Sequence, residues 1–193
     1  MSADYWANPA VFLIDTIFSL YVFALVLRFL FQWTGADYQN PISQFLIRMT
    51  HPPLKLLRRF LPSLGYVDTA SLALIFGLQM LSGYLIFLVK GASLSIAALG
   101  VWSIVQVLEL VLNIYFFAII ARALLSWVGP SGAAYNPAIS LLYSLTEPLL
   151  QASRRLMPST GGIDLSPMIP LIGIQLAKML IIPPLQQLAA VLN

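Results

Sequence analysis

Five polar side chains stand in stretches of this sequence that are otherwise apolar: Asp15, Gln79, Glu109, Gln175 and Lys178. Charge inside a low-dielectric span is costly, so such groups face a protein interior or a water path and pair with one another. The chemistry they could perform is to bind or pass a cation, with Asp15 and Glu109 at its entrance and the glutamines and Lys178 along its path. Each also has a structural reading. Asp15 and Glu109 lie near the N-terminal ends of their stretches, where a carboxylate complements the helix dipole. Gln79 and Gln175 can hydrogen-bond between helices. Lys178 either snorkels outward along its own stem or pairs with Glu109 or Asp15.

A second set is basic. Lys55, Arg58, Arg59, Arg154 and Arg155 lie between the apolar stretches, where their chemistry is recognition of anionic lipid headgroups or of a protein partner. Other chemistries are excluded by what is missing. Without cysteine there is no disulfide, thiolate or iron–sulfur ligation, and the single histidine, His51, offers neither a metal set nor an acid–base pair. The net charge of +3 and pI of 9.3 do not point to nucleic acid, because the charges form no basic face with stacking aromatics. No cofactor or metal is expected, and the reading is non-enzymatic.

The elements that position these residues follow from composition. The 193 residues are 60% hydrophobic and 9% charged, with mean hydropathy +0.88, against roughly 25% charge in soluble domains. A helix needs about 20 apolar residues to cross a bilayer, and 13–33, 71–89, 107–127 and about 167–188 qualify. The predicted class is an all-α integral membrane protein with four transmembrane helices. Pro183 and Pro184 are expected to kink or end the fourth span, and residues 95–106 to lie along or dip into the outer interface. The segment after span one carries Arg48, Lys55, Arg58 and Arg59, and that after span three Arg154 and Arg155, so both are predicted cytoplasmic and both termini outside. Arg28 and Arg122 are then expected to snorkel to headgroups beside Trp33 and Trp127, in preference to pairing with Asp68 or Asp164.

The sequence also repeats itself. RFLFQW at 28–33 matches RALLSW at 122–127, an offset of 94 residues. Downstream, Asn40, Pro41, Thr50, Pro52, Arg58, Arg59, Pro62, Gly65 and Asp68 recur 96 residues later as Asn136, Pro137, Thr146, Pro148, Arg154, Arg155, Pro158, Gly161 and Asp164. Asp15 matches Glu109, Gln79 matches Gln175, and His51 matches Glu147. The predicted units are 1–93 and 94–193. Each holds two spans, so the copies enter the bilayer in the same direction, as a parallel repeat.

In each linking segment Asn-Pro starts a helix, the asparagine capping free donors and the proline losing no bond. Ile42, Phe45, Leu46 and Met49 then mark an apolar face, matched by Ala138, Leu141, Leu142 and Leu145. Pro52, Pro53 and Pro148 are expected to break it into a helical hairpin. Asp68 caps span two, and Ser166 with Pro167 repeats the start signal at span four.

With two copies of R-x4-W, NP, T-x-P, RR-x2-P and D, and the stretch GGIDLSP at 161–167, the whole chain resembles the YggT family of bacterial inner-membrane proteins, with the plastid YlmG group among its relatives. The first copy departs at LGYVDTAS, which keeps Asp68 and lacks the Ser-Pro pair. The resemblance implies a bacterial inner-membrane location and a role connected with ion or osmotic homeostasis, division and nucleoid or thylakoid organisation, or cytochrome assembly. The expectation is a membrane scaffold or assembly protein, binding lipid and a protein partner or a second copy. The alternative is an ion-conducting or osmotic-response component, oligomeric because four spans make a narrow bundle.

Overall fold

Alternating long apolar and short amphipathic stretches fold as helices throughout the described part of the computed structural model, residues 3–61, 67–128, 136–155 and 166–193, with side chains described from residue 8 and, in the fourth helix, to residue 126. Six helices are described: α1 (Ala3–Trp33), α2 (Pro41–Leu57), α3 (Thr69–Val89), α4 (Ile96–Val128), α5 (Pro137–Arg154) and α6 (Met168–Val191). Four of them are long and apolar enough to cross a membrane, over Asn8–Trp33, Thr69–Val89, Ile96–Ser126 and Met168–Val191. At a rise of 1.5 Å per residue even the shortest of these helices reaches about 30 Å. The chain is a membrane protein.

The helix ends follow local chemistry. Asn40 and Asn136 each accept a hydrogen bond from the backbone two residues on, at 2.9 and 3.0 Å, and so cap α2 and α5. Asp68 caps α3, accepting from the Ser71 backbone N–H at 3.4 Å, and also accepts from the Ser71 hydroxyl at 2.7 Å. Gly35 and Gly91 take φ of 66° and 67°, and the residue after each donates back five positions, Ala36 to Phe31 and Ala92 to Phe87. Those paired bonds close α1 and α3, and only glycine adopts that backbone without strain.

Two segments run on further than their spans were expected to. Residues 95–106 are not separate from the third span but lead into it: Ser95 caps α4, and the helix runs unbroken from Ile96, burying Ala98, Leu99, Ser103 and Val105. Gly83 of α3 lets the Trp102 ring sit on the backbone, and this close approach explains the extra turns. Of the two outcomes expected at Pro183 and Pro184, a kink or an end, the end does not occur: α6 continues to Val191, and Ser95 bonds the Leu192 carbonyl beyond it.

Nor do the linking segments form hairpins. The helix α2 passes through Pro52 and Pro53, and α5 through Pro148. Proline removes one backbone donor and crowds the preceding turn, but Leu54 and Leu150 just beyond are buried almost completely. Burying each contributes about 1.5–3 kcal/mol towards continuing the helix. The Tyr21 hydroxyl also donates to the Met49 carbonyl, which Pro53 leaves without its helical partner.

The most extensive packing joins α4 to α6 and α1 to α3, with α3 against α4 between the pairs. Val22, Leu25, Val26, Ile75, Ile114 and Ala118 form the centre of the core, and Leu54 and Leu145 bring α2 and α5 into it.

Candidate functional site: two buried arginines and the helices they hold

Arg28 and Arg122 do not snorkel. They are 9% and 6% exposed, and each donates to a threonine on the neighbouring amphipathic helix, Arg28 to Thr50 at 2.7 Å and Arg122 to Thr146 at 2.9 Å. Both threonines are fully buried, and each hydroxyl donates its own hydrogen bond back to a carbonyl one turn earlier, Leu46 or Leu142. A buried guanidinium without acceptors would be strongly destabilising, so the hydroxyl fixes both the cation and the helix that carries it. The same bond therefore occurs at matching positions of the duplicated sequence.

Around this core the two sets of contacts diverge. Arg122 also donates to the Glu147 carboxylate and to the Tyr143 carbonyl at 3.3 Å, and lies 4.3 Å from the centre of the Tyr143 ring. Its hydrogen bond holds the Glu147 carboxyl below the ordinary range against the opposing effect of burial, and Arg154 at 3.3 Å adds to it. In the first copy the acid is Asp68, bonded to Arg58 at 2.5 Å. Burial pushes the Asp68 carboxyl up, but the bonds from Arg58 and Ser71 outweigh it and hold the group low.

The inward face of α2 is Ser43, Leu46, Thr50 and Leu54, which shares Leu46 with the stripe read from the sequence but leaves Phe45 and Met49 out of it. Phe45 is 61% and Met49 39% exposed, because docking the Thr50 hydroxyl on Arg28 rotates these side chains outward. They join Arg48, Lys55 and Arg59 on the exposed side of the helix and its end. Arg154 and Arg155 are exposed at the end of α5. The Asn40 side chain ties the two segments together by donating to the Pro137 carbonyl at 2.8 Å. Trp33 is exposed, Pro41 and Pro137 occupy the first helical positions, and buried Ser166 and Pro167 precede α6. Asp164 and the Trp127 side chain lie outside the described residues.

The family follows from the comparison of this chain with known proteins. The profile of the CCB3/YggT family matches residues 7–89 and again 101–185. The chain belongs to the CCB3/YggT family. It is 40% identical to an uncharacterised protein of Pseudomonas aeruginosa over 91% of this chain and 89% of that one. It is 35% identical to the uncharacterised protein YggT of Escherichia coli K12, over 84% and 83%, and 35% identical to a Vibrio alginolyticus protein over 90% and 93%. No solved structure matches. None of these CCB3/YggT relatives carries a name that specifies a reaction.

The polar residues of the spans come together only in part. Gln79 and Glu109 line a cavity of about 260 Å³ with Ser19, Gln106 and Asn113. Asp15 lies at the surface of α1, accepting from Ser19. Lys178 neither snorkels nor meets an acid: its ammonium donates to the Asn113 side chain and sits 5.9 Å from the centre of the Phe116 ring. A neutral acceptor and an aromatic face stabilise a half-buried ammonium in place of a carboxylate. Gln175 is half-buried on α6 and does not line that cavity. The sequence reading missed Asn113, although its match 94 positions earlier is Ser19, also in the cavity lining. Thr50 and Thr146 recur in the sequence as a pair, but no local signal marks them as acceptors for the equally repeated arginines. No group of three or more metal-ligating side chains occurs among the described residues.

Proposed function

We propose that this protein is a non-enzymatic inner-membrane scaffold that holds two basic amphipathic helices against its spans and offers them to lipid headgroups and to a partner. It is built from two parallel copies of a two-span unit, 1–93 and 94–193, with α2 and α5 on the cytoplasmic surface and both termini outside. The observation that carries the reading is the buried arginine–threonine bond in each copy. Such a bond fixes a surface helix in orientation, and here it directs Phe45, Met49, Lys55 and Arg59 away from the protein. Rigid presentation of apolar and basic groups suits a docking surface, since binding then orders fewer side chains. Lys55, Arg59, Arg154 and Arg155 provide the anionic-lipid contacts, and the partner is another protein or a second copy.

The conducting alternative rests on the polar cavity at Gln79 and Glu109. Against it, Lys178 bonds Asn113 on the lining of that cavity and adds a positive charge beside any cation path, while Asp15 lies at the surface and meets the lining only through its bond from Ser19. Reconstitution in liposomes separates the two. The scaffold reading predicts potassium and sodium flux equal to that of empty liposomes. Flux above that control that disappears in Glu109→Gln would replace the scaffold reading with the conducting one.

A further inference from the structure

The two arginine–threonine bonds differ at one position that sets the local charge. In the second copy Arg122 meets the Glu147 carboxylate. The matching residue in the first copy is His51, which brings no negative charge in either protonation state. Where a carboxylate would stand, there is a cavity of about 360 Å³ lined by Arg28, Arg58, His51, Ser43, Tyr38 and Gln32 among others. The nearest carboxylate acting on Arg28 is Asp68, which is bonded to Arg58, so among the described residues Arg28 has no acid in contact, whereas Arg122 has Glu147.

A second observation points the same way. The Ser43 hydroxyl lines this cavity, is on a residue only 5% exposed, and has no hydrogen-bond partner. Unpartnered buried hydroxyls are costly and uncommon in folded proteins. Ser43 also lies in the first turn of α2, where the helix dipole adds positive potential. Planar guanidiniums, a hydroxyl and a helix start are the donors that recognise phosphate oxygens, and the volume falls in the usual range for a small-ligand pocket, about 300–1,000 Å³.

We propose that the cavity between α1 and α2 binds an anionic phosphate group, which supplies to Arg28 the negative charge that Glu147 supplies to Arg122. This goes beyond the scaffold reading and holds whether or not a protein docks on α2. The shared chemistry is a phosphate mono- or diester, and the source is a lipid headgroup or a free phosphate.

The test uses the full chain in neutral detergent, with thermal unfolding followed by tryptophan fluorescence. Inorganic phosphate, phosphatidylglycerol and phosphatidylcholine are added separately. Near saturation the bound anion should raise the midpoint by about 5 °C. A rise with both phosphate and phosphatidylglycerol supports a site open to free phosphate. A rise with phosphatidylglycerol alone supports a headgroup site. In His51→Glu, which installs the second copy's carboxylate, the rise should vanish while the ligand-free midpoint stays level or increases, so loss of binding is distinguished from loss of fold. Ser43→Ala should weaken binding about tenfold. No rise with either anion, an equal rise with phosphatidylcholine, or an undiminished rise in His51→Glu would each overturn the proposal.

Discussion

Thr50 and Thr146 are small, fully buried and bonded to buried cations, so their loss should be felt out of proportion to their size. Thr50→Val and Thr146→Val keep the shape and remove the acceptor. Each should lower unfolding free energy by about 1.5–3 kcal/mol, measured by denaturant titration in detergent. A loss below about 0.5 kcal/mol for both would show that the arginines find equivalent acceptors elsewhere. The acids predict a pH dependence. Asp68 and Glu147 have folded values below their ordinary 3.8 and 4.5. Their contribution is therefore fully present above those ordinary values and is lost as pH falls through the lower folded ones. Asp68→Asn should reduce stability at neutral pH and flatten the decline on the acid side of 3.8, and an unchanged acid profile would remove Asp68 from the account. At this scale the sequence was only partly legible. Duplication identified Arg28, Thr50, Arg122 and Thr146 as separate recurring residues, but the bond joining them crosses 22 and 24 positions and depends on how α2 and α5 dock. Lys178 was misread for a similar reason: its partner Asn113 lies on another helix and carries no charge to advertise the pairing.

Elements were more legible, because a span is defined by length and hydropathy and each of those is local. Asn40, Asn136 and Asp68 cap the helices their residue types suggested. The prolines were the exception. Intrinsic propensity counts the backbone donors lost at Pro52, Pro53 and Pro148, whereas the folded chain weighs them against burial of Leu54 and Leu150. The start of α4 was misplaced on similar grounds, since Gly83 and the Trp102 ring it accommodates are distant in sequence. That contact gives a sharp prediction. A Cβ at Gly83 would lie 2.6 Å from the Trp102 ring and 2.9 Å from Leu99, whereas at Gly77 it would meet nothing within 4 Å. Gly83→Ala should destabilise by about 1–3 kcal/mol, and Gly77→Ala should be neutral or slightly stabilising because alanine favours helix. Equal effects would mean that α3 and α4 do not approach as closely as this.

For the whole molecule, α1 packs most extensively on α3 and α4 on α6, and the family profile matches two successive segments, 7–89 and 101–185. Orientation and partner are set by the membrane and the cell, so the sequence supports them only through charge placement and exposed surface. The scaffold proposal requires that the outward face of α2 meet another protein. Phe45 is exposed on that face, whereas Leu180, 72% exposed on α6, belongs to a span and should face lipid. A photoreactive phenylalanine analogue placed at either position in living cells gives the most direct measurement. The scaffold account predicts a discrete protein adduct from position 45, lost when Lys55 and Arg59 are both changed to alanine, and none from position 180. Lipid adducts alone at position 45 would contradict it.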